Sequence, residues 1–460
     1  MKTIQLFKII ISALVICILS SSKADYYAAQ NGQTPAGPYT SWMTAASNIQ
    51  NAVNAASAND VVWVGAGHYT VPTNAVVYSG TNVVHIDKVL TLRSSNGVPA
   101  TTVIDGEGKY RGIAVNYYYD TANRFLIDGF TVSNCFATNM GGGIFFYSGT
   151  YTAVVQNCLI SGNTAASGYG GGGMYIYGAV YSIISNCTFR GNLSVNGSVG
   201  GGAAFFRNSS YSRLGTKVAR IDNCLIESNT ALNGGGGLFF NYWGIYDLRN
   251  CVIRGNVQSN YTNSASTGGG GIEHGYGASV QMWNCLVYNN YATGAGGGIY
   301  NMKGGVAAPL VMYNCTVVSN TTAQASAGGI GCRQTIDWIT LCNTIVAFNK
   351  LDSIDAGTVI DVQSYSTSSF TNCCITSTNI GGSRNILNVG AGNITNNPSF
   401  VDFTGQDFRL VNNSPCVNRG LNQDWMTNGV NLDGLKRIRY GTVDMGAYEL
   451  IYEGAIYQFH

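Results

Sequence analysis

The sequence predicts an all-β fold: a solenoid of about eleven coils, each with three short strands, and a capping helix at its N-terminal end. Two short units alternate along most of the chain, one built on Asn-Cys and one led by glycines. The first recurs every 27 to 37 residues. No segment between them has room for a convincing helix. Short strands with turn residues at a steady repeat are typical of β-solenoids.

The Asn-Cys unit predicts a corner between two strands. It occurs as "NCLISGN" (157–163), "NCTFRGN" (186–192), "NCLIESN" (223–229), "NCVIRGN" (250–256), "NCLVYNN" (284–290), "NCTVVSN" (314–320), "NTIVAFN" (343–349), "NCCITST" (372–378) and, with Gly129 at the Asn position, "GFTVSNC" (129–135). Apolar residues flank each unit in alternation, and the alternation breaks at the Asn. Asn and Gly both tolerate a left-handed backbone, which explains why either can occupy this corner.

The glycine-led unit predicts the start of another strand. It occurs as "GGGIFF" (141–146), "GGGMYI" (171–176), "GGAAFF" (201–206), "GGGLFF" (235–240), "GGGIEH" (269–274), "GGGIYN" (296–301) and "GGIGC" (328–332). These runs lack the Lys-Ser/Thr or the helix that follows a phosphate-binding loop. We therefore interpret the glycines as turn residues of a repeated coil.

Outward charges support this alignment of the coils. Arg190, Glu227 and Arg254 occupy the same position in three successive units, and Asp222 matches Arg249. Neighbouring strands lie roughly 4.8 Å apart, so opposite charges at matched positions attract. A wrong register would not bring them together repeatedly.

The chain has 13 cysteines, and most are predicted to form one inward column of free thiols. The column contains Cys158, Cys187, Cys224, Cys251, Cys285, Cys315 and Cys373. Side chains on adjacent parallel strands point the same way, which suits disulfide geometry poorly. Cys332, Cys342, Cys374 and Cys416 lie outside the column, and their pairing stays open. No Cys-His cluster has metal-ligand spacing, so we predict no metal site.

The first residues predict export. Residues 1–24 combine Lys2 and Lys8, an apolar stretch at 9–19 and a small-residue cleavage site at Ala24, as in a secretory signal peptide. A membrane anchor is the alternative, but eleven apolar residues are too few to span a bilayer. No other segment predicts a transmembrane helix. The net charge of +2 gives no reason to expect nucleic acid as a partner.

These motifs resemble a known family. The Asn-corner strand, the glycine-led strand and a short third strand resemble the right-handed single-stranded parallel β-helix of pectate lyase-like proteins. The repeats resemble those of chlamydial polymorphic membrane proteins. The end, "NPSFVDFTGQDFRLVNNSPCVNRG…NLDGLKRIRYGTVDMGAYEL" (397–450), resembles the choice-of-anchor Q domain of exported bacterial β-helix proteins. The resemblance implies a β-helix over 25–385 and a capping region over 386–460.

An amphipathic helix is predicted at 41–57, ahead of the first coil. Met43, Ala46, Ile49 and Val53 would share one face and cover the open end of the solenoid.

The outward side of the glycine-led strands is predicted to bind substrate. In lyases of the resembled fold, substrate lies along this strand, and exposed aromatic rings suit sugars. The predicted binding residues are Phe145, Tyr147, Tyr175, Tyr177, Phe206, Phe239 and Asn241. The alternative is that inserts at 207–219 and 257–267 cover this strip.

Charged residues beside the strip are the candidates for catalysis. β-Elimination of a uronate needs a base and cations that neutralise the carboxylate. Arg333 or Lys303 could act with Tyr300, while Glu273 could hold a cation. Asp337 and Arg207 are further candidates, and Glu273 with Asp337 would be the pair for a hydrolase. An ordinary charged solvent face explains the same residues. His274, at an even position, is predicted to point inward as a core residue.

Two functions are compatible with these observations. The first is a secreted or cell-surface protein that binds polysaccharide or a cell-surface glycan without catalysis. The second is a carbohydrate-active enzyme: a polysaccharide lyase, a hydrolase or an epimerase. No cofactor is predicted, although Ca²⁺ could bind the Asp-containing turns at 350–357 or 431–434, which lack the spacing of a known calcium loop. The sequence does not determine the oligomeric state.

Overall fold

The computed structural model describes residues 23–72, 81–116, 124–147, 151–195, 200–208, 211–260, 267–302, 305–324, 326–332, 338–352, 361–364, 368–377 and 387–451. These residues form a parallel β-solenoid, so the predicted fold class is confirmed. Its parallel sheets stack between eight and 13 strands, so the coil count differs slightly from the eleven predicted. The signal sequence predicted at 1–24 lies outside the described residues except for its last two positions. The part of the chain that is described has no helix long and apolar enough to cross a membrane.

The first sheet carries the strands that precede each Asn corner. Its 13 parallel strands are, in stacking order, Asp25–Ala28, Val61–Val64, Thr91–Ser94, Arg124–Asp128, Thr152–Gln156, Tyr181–Ser185, Lys217–Asp222, Gly244–Arg249, Ala278–Trp283, Leu310–Tyr313, Ile339–Cys342, Ser368–Thr371 and Leu387–Val389.

The strands that follow each Asn corner form the second sheet. Further along each turn, a two-residue strand contributes to a fourth sheet. The second consists of Gly67–Tyr69, Thr102–Asp105, Thr131–Ser133, Leu159–Ser161, Thr188–Arg190, Leu225–Glu227, Val252–Arg254, Leu286–Tyr288, Thr316–Val318, Ile345–Ala347 and Cys374–Ile375. The fourth, not predicted, consists of Phe136–Ala137, Thr164–Ala165, Leu193–Ser194, Thr230–Ala231, Val257–Gln258, Tyr291–Ala292, Thr321–Thr322 and Lys350–Leu351.

The third sheet carries the glycine-led strands. Its members are Asn82–Ile86, Arg111–Asn116, Ile144–Tyr147, Met174–Tyr177, Ala204–Arg207, Leu238–Asn241, Ile272–Gly275, Ile299–Met302, Ile330–Cys332 and Val362–Gln363. Outside the solenoid, Phe400–Asp402 and Asp407–Leu410 form an antiparallel pair. Short 3-10 helices occur at Trp42–Thr44, Pro99–Thr101, Tyr211–Arg213 and Asp424–Met426.

The capping helix is shorter than predicted and covers Ile49–Ala55. It begins where the Asn48 side chain accepts a hydrogen bond from the Asn51 N–H at 2.9 Å, as an N-cap residue does. Ile49 and Val53 are buried as predicted. Met43 instead lies on the preceding 3-10 helix and is 76% exposed, so its predicted place on the buried face was wrong.

The Asn corner has the predicted conformation. Asn157, Asn186, Asn223 and Asn250 all have φ between 50° and 52°, and Gly129 at the same corner has φ 86°. From Asn186 to Asn284 each corner amide donates to the one on the turn before, as Asn223 Nδ2 does to Asn186 Oδ1 at 3.3 Å. The left-handed backbone explains why only these two residue types occupy the corner.

A second Asn ladder runs inside the solenoid and was not predicted. It is formed by the last residue of seven of the nine units: Asn163, Asn192, Asn229, Asn256, Asn290, Asn320 and Asn349, all fully buried. The Nδ2 of Asn192, for example, donates to Asn229 Oδ1 and to the Ile160 carbonyl, both at 2.9 Å. These amides satisfy buried backbone groups at a turn that would otherwise leave them unpaired.

The inward cysteines form the predicted thiol column, with Cys135 added at its start. Each is buried, and each donates to the carbonyl two residues before it, as Cys158 does to Gln156 O at 3.1 Å. None of the column residues forms a disulfide. The predicted charge register is also confirmed, because Glu227 lies between Arg190 and Arg254 and pairs with both.

The C-terminal region packs against the outward side of the second sheet. Phe408 contacts Tyr288 with ring centroids 5.1 Å apart. Further along, Arg437 is completely buried and forms an ion pair with Glu449 at 3.2 Å. The boundary predicted at residue 386 stays a prediction.

Candidate functional site

The predicted aromatic strip is present but covered. Phe145, Tyr175 and Phe239 lie on the outward side of the third sheet as predicted, yet all three are buried. Turn residues that precede the glycines, Met140 and Tyr169 among them, pack over the strip. The prediction that Phe145, Tyr175 and Phe239 are exposed was therefore wrong.

Tyr147 and Tyr177 remain half-buried at the edge of this strip, with ring centroids 5.5 Å apart. Asn241 shares their column but is buried. Phe206 was assigned to the wrong side, since it pairs in register with Ile176 and lies in the main core. Phe205 holds the outward position, because Ala203 replaces the third glycine of the other units and the first residue of the strand is Ala204.

Two of the four predicted catalytic residues are fully buried. Glu273 lies between Phe239 and Tyr300 on neighbouring strands, and neither it nor Tyr300 reaches solvent. The prediction that they face solvent was therefore wrong. Glu273 Oε2 accepts a hydrogen bond from the Gly268 N–H at 3.2 Å. Burial raises the pKa of Glu273 well above its usual range.

Most of the other predicted charges cannot be placed relative to Glu273. Lys303, Arg333 and Asp337 lie outside the described residues. Arg207 is described, and its guanidinium carbon lies 3.9 Å from the Tyr169 ring centroid. His274 points inward as predicted, with Nδ1 3.0 Å from the Ala278 carbonyl. Burial lowers the pKa of His274 to about 4, so it is a neutral core residue. The catalytic roles stay predictions.

A different surface has the shape of a binding site. A groove of about 1000 Å³ lies between the first sheet, its Asn corner and the C-terminal segment 423–430. It is lined by Ser185, Asn186, Arg220, Asp222, Asn223, Arg249, Asn250, Trp283, Asn284, Tyr313, Gln423, Asp424, Trp425, Asn428, Gly429 and Val430. We refer to it as the axial groove.

Two columns of matched residues form the floor of the axial groove. One is the last outward position of the first sheet, with Ser185, Asp222, Arg249, Trp283 and Tyr313 in register on successive turns. The other is the corner ladder from Asn186 to Asn284. Because both columns follow the stacking direction, the groove runs along the solenoid axis.

One end of the floor is aromatic. The rings of Trp283 and Tyr313 are stacked, with centroids 5.8 Å apart and planes inclined by 20°. The guanidinium carbon of Arg249 lies 4.6 Å from the Trp283 ring centroid. All three side chains are half-buried, so part of this flat surface stays accessible to a ligand.

The other end of the floor is charged. Arg220 Nε lies 2.6 Å from Asp222 Oδ2, while Arg249 lies 3.6 Å from Asp247. Burial raises the pKa of Asp222, and the neighbouring Arg220 counteracts part of this effect. Among the described residues, Asp222 Oδ1 and Arg249 Nε are buried atoms without a hydrogen-bond partner.

The wall of the axial groove is held to the floor by hydrogen bonds. Asn284 Nδ2 donates to the Val430 carbonyl at 2.7 Å, and Gln423 Nε2 donates to Cys342 Sγ at 3.4 Å. Trp425 Nε1 donates to Gln423 Oε1 at 2.7 Å, which orients its half-buried ring. Asp424 on the same wall is exposed.

Metal ligands do not converge in the described part of the chain, which contains no group of three or more His, Cys, Asp or Glu suited to a metal ion. At the turn considered for Ca²⁺, Asp433 pairs with Arg409 at 2.7 Å. Residues 353–357 of the other turn, 350–357, lie outside the described residues.

No curated protein matches this chain. A solved structure, the pectate lyase Pel9A, has a TM-score of 0.54 and 15% sequence identity, with 93% of this chain and 97% of that chain covered; this shows a shared fold. The family model for the right handed beta helix region matches residues 66–253 and 111–305. Together these matches span 66–305, which is more than half of the chain. The chain therefore belongs to the right-handed β-helix family.

Proposed function

We propose that this chain is a secreted or cell-surface β-helix protein that binds a linear polysaccharide in the axial groove and performs no chemistry on it. The observation that carries the proposal is the Trp283–Tyr313 platform in line with Arg249 and Asp222. Aromatic faces pack against the apolar faces of sugar rings. Guanidinium and carboxylate groups beside them hydrogen-bond to hydroxyl or carboxylate substituents.

The dimensions of the groove favour a polymer as the ligand. From Ser185 to Tyr313 the floor covers four steps between turns, about 19 Å at the usual strand spacing. A chain of several sugars lying along the axis would meet the same two columns on each turn. The lining charges are balanced, with two arginines and two aspartates, so hydrogen bonding and stacking would select the ligand more than net charge.

Affinity electrophoresis in gels that contain neutral or uronate polysaccharides tests the proposal. The wild-type protein is expected to be retarded by at least one polymer, and Trp283→Ala and Tyr313→Ala are expected to lose about ten-fold in affinity. Trp338→Ala is the matched control, because Trp338 is 45% exposed and does not line the groove. Equal retardation of Trp283→Ala and the wild type would place binding elsewhere.

A carbohydrate-active enzyme is the second candidate. Asp222 on the floor combines a raised pKa with two nearby arginines, and Asp424 stands on the wall. A raised pKa suits a carboxyl group to the role of general acid, and hydrolases use two carboxyl groups. The similarity to a pectate lyase makes pectate one polymer to test.

Activity is measured by new reducing ends and by the absorbance of unsaturated uronate products. Turnover by the wild type that disappears in Asp222→Asn would replace the binding-only proposal. Glu273→Gln is the control for the residues predicted from the sequence. Its activity should equal that of the wild type if chemistry takes place in the axial groove.

A further inference from the structure

The C-terminal region meets the solenoid at two buried cysteines. Cys374 is on the last described strand of the second sheet, in register with Ile345. Cys416 belongs to the C-terminal region, and both are completely buried in one apolar cluster with Leu410 and Met445. The Cys374 thiol donates to the Asn396 carbonyl at 3.2 Å, and the Cys416 thiol lies beside it.

The arrangement of this pair differs from that of the thiol column. Column cysteines lie side by side on parallel strands, and their side chains point in the same direction. Cys374 and Cys416 come from two different segments, the solenoid and the C-terminal region, whose buried residues meet in one cluster. Their side chains are therefore not constrained to point in the same direction, as those of neighbouring parallel strands are. Cys416 is also fixed in place, since its N–H donates to Ser414 Oγ at 3.1 Å and its carbonyl accepts from Met445 N at 3.0 Å.

We propose that Cys374 and Cys416 form a disulfide that fastens the C-terminal region to the solenoid. In this reaction one thiolate attacks a disulfide oxidant, such as oxidised glutathione or a protein disulfide, and releases one thiol. The second cysteine then attacks the mixed disulfide and releases the other thiol. Two protons and two electrons leave the cysteine pair, and the oxidant is reduced to two thiols.

The order of events follows from burial. Once the two surfaces have packed, both cysteines are completely buried and no oxidant reaches either sulfur. The adjacent Cys416, together with burial, then raises the pKa of Cys374. The bond therefore forms while the C-terminal region is still docking. Cys416 lies seven residues before Gln423, where the wall of the axial groove begins, so the cross-link also limits how far that wall can move. It does not depend on the proposed glycan binding.

Peptide mapping without reduction tests this proposal directly. The full chain is unfolded in urea with reductant, refolded in a mixture of reduced and oxidised glutathione, unfolded again with an alkylating reagent and digested. One peptide pair that joins residues 374 and 416 is expected, with the column cysteines alkylated. A refolded chain in which both residues are alkylated, or in which either is joined to another cysteine, would overturn the proposal.

The adjacent Cys373 provides a matched control. Cys373→Ala should keep the cross-link, whereas Cys374→Ala and Cys416→Ala should each lose it. The oxidised wild type should melt several degrees above its reduced form, and this difference should vanish in Cys416→Ala. If an alanine variant fails to fold, the mapping of the wild-type chain and of Cys373→Ala still decides the outcome.

Discussion

Arg249 lies over the indole ring of Trp283, its neighbour in register on the next turn, with the guanidinium carbon 4.6 Å from the ring centroid. This contact joins the charged and aromatic ends of the axial groove. It also holds the long Arg249 side chain flat against the floor, where a ligand would meet the plane of the guanidinium group.

Arg249→Lys should weaken polysaccharide retention about two- to five-fold. This factor corresponds to the free energy of one cation–π contact near a protein surface. Lysine keeps the charge but lacks the planar group that stacks on the ring. Affinity electrophoresis measures the effect, with Arg124→Lys as an exposed control outside the groove. Retention equal to the wild type would show that the stacked geometry does not contribute.

Tyr175→Ala should destabilise the fold rather than change ligand binding. Tyr175 is buried in the covered strip and packs against Phe145 and Phe205, so truncation leaves a cavity at a cost of about 3–5 kcal/mol. Trp283→Ala should cost less, about 1–2 kcal/mol, because its side chain is only half-buried. Urea unfolding followed by circular dichroism compares the two. A stable Tyr175→Ala protein with lost glycan binding would contradict the covered strip.

Asn229→Ala should be among the most damaging single changes. Asn229 Nδ2 donates to Asn256 Oδ1 at 2.9 Å and to Phe189 O at 3.0 Å, and its Oδ1 accepts from Asn192. Each buried group left unpaired costs about 1–3 kcal/mol, so a total loss of about 3 kcal/mol or more is expected.

The control for this variant is Asn157→Gly at an outer corner. Glycine already occupies the same corner one turn earlier, at residue 129, so the loss should stay near 1 kcal/mol. Similar unfolding midpoints for Asn229→Ala and Asn157→Gly would show that the inner ladder contributes no more to stability than the outer corner does.

Glu273 should make stability fall as the pH rises. Its pKa is raised in the folded chain by burial. Above the usual glutamate pKa of about 4.3, the unfolded chain loses this proton while the folded chain keeps it. The folded state then binds more protons, and stability decreases by up to about 1.4 kcal/mol per pH unit until the pH reaches the folded pKa.

Glu273→Gln removes that dependence because the amide stays neutral. It should be more stable than the wild type at pH 8 and should differ less from it at pH 5. Urea titrations at the two pH values measure this, with the exposed Glu107→Gln as control. Parallel pH profiles for Glu273→Gln and the wild type would contradict a neutral buried Glu273.

The thiol column should be unreactive in the folded, reduced chain. Cys251 and Cys285 are completely buried, and burial raises the pKa of each thiol. Labelling with a chromogenic disulfide reagent at pH 8 should be at least about 100-fold slower than that of free glutathione, and it should become rapid in urea. Rapid labelling of column cysteines without urea would indicate that the coils open readily.

The repeats predicted the solenoid because each unit carries its own local signals. Asn at the corner, an inward Cys and opposite charges at matched outward positions fix the register without knowledge of distant contacts. The same reasoning misplaced Phe206, where Ala203 and Ala204 obscured the start of the strand. It also missed the inner Asn ladder, whose function depends on hydrogen bonds between turns.

The site was harder to predict because exposure depends on what covers a strand. Alternation placed Glu273 and Phe145 on the outward side correctly, but it could not show that turn residues pack over them. The axial groove was not predicted for a related reason. Trp283 and Tyr313 are visible as an outward column in the sequence, while the wall comes from residues more than a hundred positions later, and no periodic pattern links them.

The corner ladder also affects how this chain tolerates change in length. Successive corner amides are bonded across separations of 29, 37, 27 and 34 residues, yet the corners remain aligned. Extra residues in one turn must therefore bulge outward, and the next corner restores the alignment. A difference in the length of one turn therefore does not shift the turns that follow it. Surface loops can diversify in evolution while the scaffold beneath them is preserved.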